Sequence, residues 1–86
     1  MFAIIINKAI GKRLARLPTS DQKKIYKVLS DLENNPFPEN RDLKKMQGAS
    51  FPIWRIRIGN LRIIYTVLAD SKTIKVADID FRGNVY

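Results

Sequence analysis

Residues 53–68 constrain the fold more tightly than any other part of the chain. Ile53-Trp54-Arg55-Ile56-Arg57-Ile58 and Leu61–Leu68 are rich in β-branched and aromatic residues, and Gly59-Asn60 separates them. Alternation with a period of two predicts strands with one buried face, and a two-residue Gly-Asn loop suits a type II′ hairpin. The loop length sets the register. Ile58 falls opposite Leu61, Arg57 opposite Arg62, Ile56 opposite Ile63, Arg55 opposite Ile64 and Trp54 opposite Tyr65. One face then carries Trp54, Ile56, Ile58, Leu61, Ile63 and Tyr65, which is enough to pack helices. The other carries Arg55, Arg57 and Arg62 with Ile53, Ile64 and Thr66. On this register Trp54 and Tyr65 belong to the core, not to a base-stacking platform.

Like charges directly opposite each other destabilise a sheet. Holding Arg57 against Arg62, with Arg55 two residues along, therefore points to an anion site. The alternative is a solvated face whose arginines merely discourage edge pairing, but lysine or threonine would do that without clustering guanidiniums. Arginine suits phosphate because its planar fork binds two oxygens at once. Lys44 and Lys45, in the connection before the arginine strand, are candidate phosphate contacts. The whole chain agrees in sign: 16 Lys and Arg against 8 Asp and Glu give 86 residues a net charge of +8, which draws polyanions.

The rest of the chain reads as follows. Residues 2–7 predict a strand. Lys8–Leu17 predicts a helix with Ile10, Leu14 and Leu17 on its apolar stripe, ended by Pro18. Thr19 and Gln22 fit a capping box for a second helix, whose stripe is Ile25, Val28, Leu29 and Leu32 and which Asn34-Asn35-Pro36 stops. Residues 35–52 hold three of the four prolines and predict a long connection. A turn at Ala69–Lys72 leads to a last strand, Thr73–Ile79. The expected fold is α+β, in the order β-α-α-β-β-β, with two helices on one face of a small, mainly antiparallel sheet, in one domain spanning residues 1–86. No apolar run approaches the ~18 residues a membrane helix needs, and Phe2–Ile6 is too short for a signal-peptide core, so a cytoplasmic protein is expected.

The inventory narrows the chemistry. With no His and no Cys, Ser-His-Asp, Cys-His and HExxH sites are excluded, and neither a metal nor another cofactor is expected. Arg82 and Tyr86, in the tail after the last strand, are placed to fold toward the arginine cluster. Tyrosine is the neutral acid best suited here to protonate a leaving alkoxide, although a terminal aromatic packing on the core is an equal reading of Tyr86.

The chain resembles the RelE/ParE family of toxins from type II toxin–antitoxin pairs over almost its whole length. The likeness is carried by the strand-helix-helix opening with Leu17-Pro18 at its middle and by Lys44-Lys45-Met46-Gln47-Gly48. It continues through Trp54-Arg55-Ile56-Arg57-Ile58-Gly59, Leu61-Arg62-Ile63-Ile64-Tyr65 and Arg82-Gly83-Asn84-Val85-Tyr86. The resemblance implies a metal-independent endoribonuclease, an mRNA interferase that cleaves messenger in the ribosomal A site by attack of a 2′-hydroxyl on the adjacent phosphate. Carried over, the catalytic residues are Arg55, Arg57, Arg62, Arg82 and Tyr86, and the implied partner is an acidic, RelB-like antitoxin. Where some members have lysine on the sheet this chain has arginine, which is too weak an acid to serve as a general base. The base stays open among Lys44, Lys45, Asp78 and Asp80. Two other readings are a ParE-like toxin that inhibits DNA gyrase and an RNA-binding domain without turnover.

Overall fold

In a computed structural model, which describes residues 1–46 and 52–81, the chain runs β1 (Ala3–Ile6), α1 (Lys8–Ala15), α2 (Thr19–Asn34), β2 (Asp42–Met46), β3 (Ile53–Ile58), β4 (Leu61–Leu68) and β5 (Thr73–Phe81). The five strands form one sheet in the order β1-β5-β4-β3-β2. β1 lies parallel to β5 and every other neighbouring pair is antiparallel. Both helices cover the same face. Ile10 and Leu14 of α1 and Ile25, Val28, Leu29 and Leu32 of α2 pack on Ile56, Leu61, Ile63, Tyr65, Ile74, Val76 and Ile79 of the sheet.

The β3–β4 hairpin has the expected register, from Ile58↔Leu61 through Arg57↔Arg62 to Trp54↔Tyr65. Gly59 carries the positive φ of +57°, and Asn60 does not share it. That is the type II′ pattern, with glycine at the first loop position. The turn into β5 uses Lys72 at φ +49°, and its N–H donates to the Ala69 carbonyl.

Four expectations are corrected. Residues 35–52 are not one long connection, because Asp42–Met46 form β2 on the sheet edge, paired with β3. Of the segment's three prolines, Pro36 and Pro38 precede this strand and Pro52 follows it; after Pro38, Arg41 clamps Asp31 of α2 (Nη2–Oδ2 2.6 Å) and Leu43 turns inward opposite Ile56. Thr19 and Gln22 form no capping box. Thr19 is the first helical residue, and the Gln22 amide instead donates to the Leu17 and Ala15 carbonyls (2.8 and 3.1 Å), where it satisfies the end of α1. The first helix stops at Ala15, two residues before Leu17, and the last strand runs on to Phe81.

Tyr65 joins the core to this unexpected strand. Its ring is fully buried, and its hydroxyl donates to the Pro36 carbonyl at 2.7 Å, at the chain's departure from α2. Burial pushes the phenol pKa far above its ordinary value. Tyr65→Phe leaves the buried carbonyl without its donor and should lower the unfolding free energy by about 1–3 kcal/mol in urea titrations, with an unchanged m-value. The native chain also keeps a proton that the unfolded chain releases above pH ~10, so the parent should lose stability as pH rises past that value. Tyr65→Phe should lack this component of the alkaline loss.

Candidate functional site

The face of the sheet away from the helices carries the charge. Because side chains alternate along each strand, the pairings define rows that run across the sheet. The first row is Asp42, Arg57, Arg62 and Asp80, taken from β2, β3, β4 and β5. The second is Lys44, Arg55, Ile64 and Asp78. Next to a two-residue loop, Ile58 and Leu61 exchange the hydrogen bonds that close the hairpin. Arg57 and Arg62 are then the non-hydrogen-bonded pair, whose side chains stand closest, with Cα atoms ~4.5 Å apart.

The first row places two like charges together and flanks them with opposite ones. Arg62 Nη2 donates to Asp80 Oδ2 at 2.5 Å, and Arg57 Nε lies 3.7 Å from Asp42 Oδ2. The acids lie on the strands that flank the hairpin, β2 and β5, so each draws its guanidinium away from the other arginine. The two bonds differ in firmness. Arg62 is the more enclosed arginine, its side chain 29% exposed against 43% for Arg57, and only Arg62 is within hydrogen-bond distance of its acid. In the second row Asp78 is taken by Arg13 of α1, which also donates to the Ile79 carbonyl at 2.9 Å. Lys44 and Arg55 have no ion pair among the described residues. The Nε–H groups of Arg55 and Arg62 are shielded from solvent and have no acceptor among the described residues, so both arginines offer only their terminal nitrogens outward.

Arg55, Arg57 and Arg62 are thus brought together as the register argument expects. Lys44 joins them, although on an edge strand and not in a loop. Lys45 does not: it sits opposite Trp54, on the other side of β2, with its ammonium 6.0 Å from the Trp54 ring centre. Trp54 is half-buried and meets Phe37 edge-on at 4.9 Å between ring centres. Arg82 and Tyr86 lie outside the described residues. Asp42 and Asp80 were missing from the sequence reading as partners of the arginines. Their signal was alternation: Asp42-Leu43-Lys44 and Asp78-Ile79-Asp80 each place acids or bases on alternate positions around an inward apolar residue. Among the described residues no group of His, Cys, Asp and Glu is placed to hold a metal ion, and no helix is long and apolar enough to cross a membrane.

A family profile described as the ParE toxin of the type II toxin–antitoxin system, parDE, matches residues 5–86. The chain belongs to this toxin family. A Methanocaldococcus jannaschii protein named as a candidate RelE1 toxin is 35% identical over 86 residues, which span 99% of this chain and 94% of the relative. RelE in an archaeal RelE–RelB complex from Pyrococcus horikoshii superimposes with a TM-score of 0.84 at 30% identity, over 98% of both chains. A RelB–RelE antitoxin–toxin complex from Methanococcus jannaschii contains a chain that matches with a TM-score of 0.73 at 27% identity, over 90% of this chain and 88% of that one. Within the family the chain is therefore a RelE-like toxin.

The arginine row makes a stability prediction of its own. Arg57→Ala removes the repulsion and only a loose ion pair, and should leave stability unchanged or raise it by a few tenths of a kcal/mol. Arg62→Ala also removes the tight pair with Asp80 and should be less stable than Arg57→Ala, by about 0.2–1 kcal/mol. Thermal unfolding of the two variants side by side at low salt checks the order.

Proposed function

We propose that this RelE-like toxin is a metal-independent endoribonuclease that cuts messenger RNA in the ribosomal A site. The observation that carries the reading is the side-by-side Arg57–Arg62 pair with Arg55 in the next row, on the sheet face opposite the one that α1 and α2 pack against. In the proposed step the 2′-oxygen forms a bond to the adjacent phosphorus while the bond from phosphorus to the 5′-oxygen breaks. The products are a 2′,3′-cyclic phosphate and a 5′-hydroxyl. Charge grows on the phosphoryl oxygens along this path, and fixed guanidiniums that meet it there stabilise the transition state more than the ground state. Arg55, Arg57 and Arg62 hold the phosphate, joined by Arg82. Tyr86 gives its proton to the leaving 5′-oxygen. Lys44 contacts a neighbouring phosphate. The 2′ proton passes to a base on the same face, for which Asp78, in the row of Arg55, is a candidate.

Two further features support the reading. The net charge of +8 favours both ribosomal RNA and an acidic partner, and the RelE chains from P. horikoshii and M. jannaschii were each solved with RelB. The proposed partner is accordingly an acidic, RelB-like antitoxin that neutralises the toxin in the cytoplasm. The ParE name of the family profile favours a second reading, a toxin acting on DNA gyrase.

Incubation with programmed ribosomes, followed by mapping of new RNA 5′ ends, separates the two. The nuclease reading expects cleavage within the A-site codon, lost in Arg57→Ala and Arg62→Ala variants that remain folded. Tyr86→Phe keeps the ring and should lower turnover by about 10²–10⁴-fold with little change in ribosome binding. Intact messenger together with inhibited supercoiling would instead establish the ParE-like activity.

A further inference from the structure

We propose that Asp80 is a positioning residue of the arginine face: it orients the Arg62 guanidinium for phosphate without itself touching the RNA. Its catalytic meaning rests on the nuclease reading, but the orientation is a property of the free protein.

The argument begins with a conflict. A carboxylate beside a phosphate site repels the ligand, so a binding face is better without one unless it does something else. Stability does not supply the reason, because a pair this exposed is worth only about 0–1 kcal/mol (Arg62 is 29% and Asp80 41% exposed). Geometry does. Arg62 stands opposite Arg57 on β3, and Asp80 stands opposite Arg62 on β5, so repulsion from one side and attraction from the other act in the same direction. Nη2 is held at 2.5 Å by Asp80, and Nε is shielded from solvent beneath without a partner of its own among the described residues, so the bond to Asp80 is the one contact that orients the guanidinium plane. The remaining terminal N–H groups then point to one place, and a donor aimed in advance does not lose orientational freedom when the phosphate arrives. Arg57 is the contrast within the same row: its acid lies 3.7 Å away, beyond hydrogen-bond distance, and leaves it free to adjust. The face thus pairs one fixed arginine with one adaptable one. Asp80 also fastens β5 to β4 two residues before Arg82.

The test compares Asp80→Ala with Asp80→Asn. Asparagine keeps an oxygen that accepts the Nη2–H and lacks the charge; alanine removes both. On programmed ribosomes Asp80→Ala should lose about 10–100-fold in kcat with KM unchanged or lower, and Asp80→Asn should recover most of the loss. Nitrogen-15 spectra of the ribosome-free protein give the second readout. The Arg62 Nε–H should be resolved and slow to exchange in the parent and in Asp80→Asn, and broadened or lost in Asp80→Ala. An Asp80→Ala variant that cleaves at the parent rate or faster overturns the proposal, since the carboxylate is then only a competitor for the arginine. An Arg62 signal that does not change in Asp80→Ala overturns it whatever the cleavage shows. If the parent itself does not cleave while the Arg62 signal responds as expected, the nuclease reading fails and the orienting contact stands.

Discussion

A two-residue loop places Arg57 and Arg62 side by side, and much of the outer face is arranged around the repulsion between them. Moving the register by one residue would turn one of the two strands over, sending its arginine into the core and its isoleucine out, so the pair cannot be avoided while the hydrophobic face is kept. The structure answers with an acid on each of the strands that flank the hairpin, β2 and β5. Asp42 and Asp80 bring the row to zero net charge and pull the guanidiniums apart. The excess positive charge of the face therefore lies one row along, at Lys44 and Arg55. On the proposed nuclease reading, the RNA meets this positive margin first and the arginine pair next to it.

The scaffold keeps that arrangement rigid from behind. Ile56, Leu61 and Ile63 alternate with the arginines along the same two strands and are fully buried under α1 and α2. Packing of that quality restricts movement of the backbone that carries the charged residues. Tyr65, in the same core layer, fastens the chain leaving α2 through its bond to Pro36, and the Arg41–Asp31 pair then delivers β2 to the edge of the sheet. Without β2 neither Asp42 nor Lys44 would belong to the face.

The hairpin was legible in the sequence because its information is local: a period of two on both sides of Gly59-Asn60 leaves one register. The helices were legible for the same reason, from Ile10 and Leu14 and from Ile25, Val28, Leu29 and Leu32. β2 was not, since five residues with one inward leucine carry too short an alternation to stand out in a segment that holds three prolines. Its absence from the reading also misplaced Lys45, which only the strand geometry turns toward Trp54. Asp80 was missed as a partner of Arg62 because it lies one residue past the expected strand Thr73–Ile79, and because the β4–β5 register passes through an irregularity at Ile64/Tyr65 that counting along the strands does not reveal. The capping box failed for a different reason: Gln22 had a better use at the carbonyls that end α1, a tertiary contact invisible to a four-residue motif.

The central claim is that the chain tolerates a repulsive arginine pair because a phosphate resolves it. A double-mutant cycle on Arg57→Ala and Arg62→Ala tests this most directly, run at matched ionic strength in chloride and in phosphate. The account predicts an unfavourable coupling of about 0.2–1 kcal/mol in chloride that shrinks or changes sign in phosphate. No unfavourable coupling in chloride, or the same coupling in both salts, would contradict it.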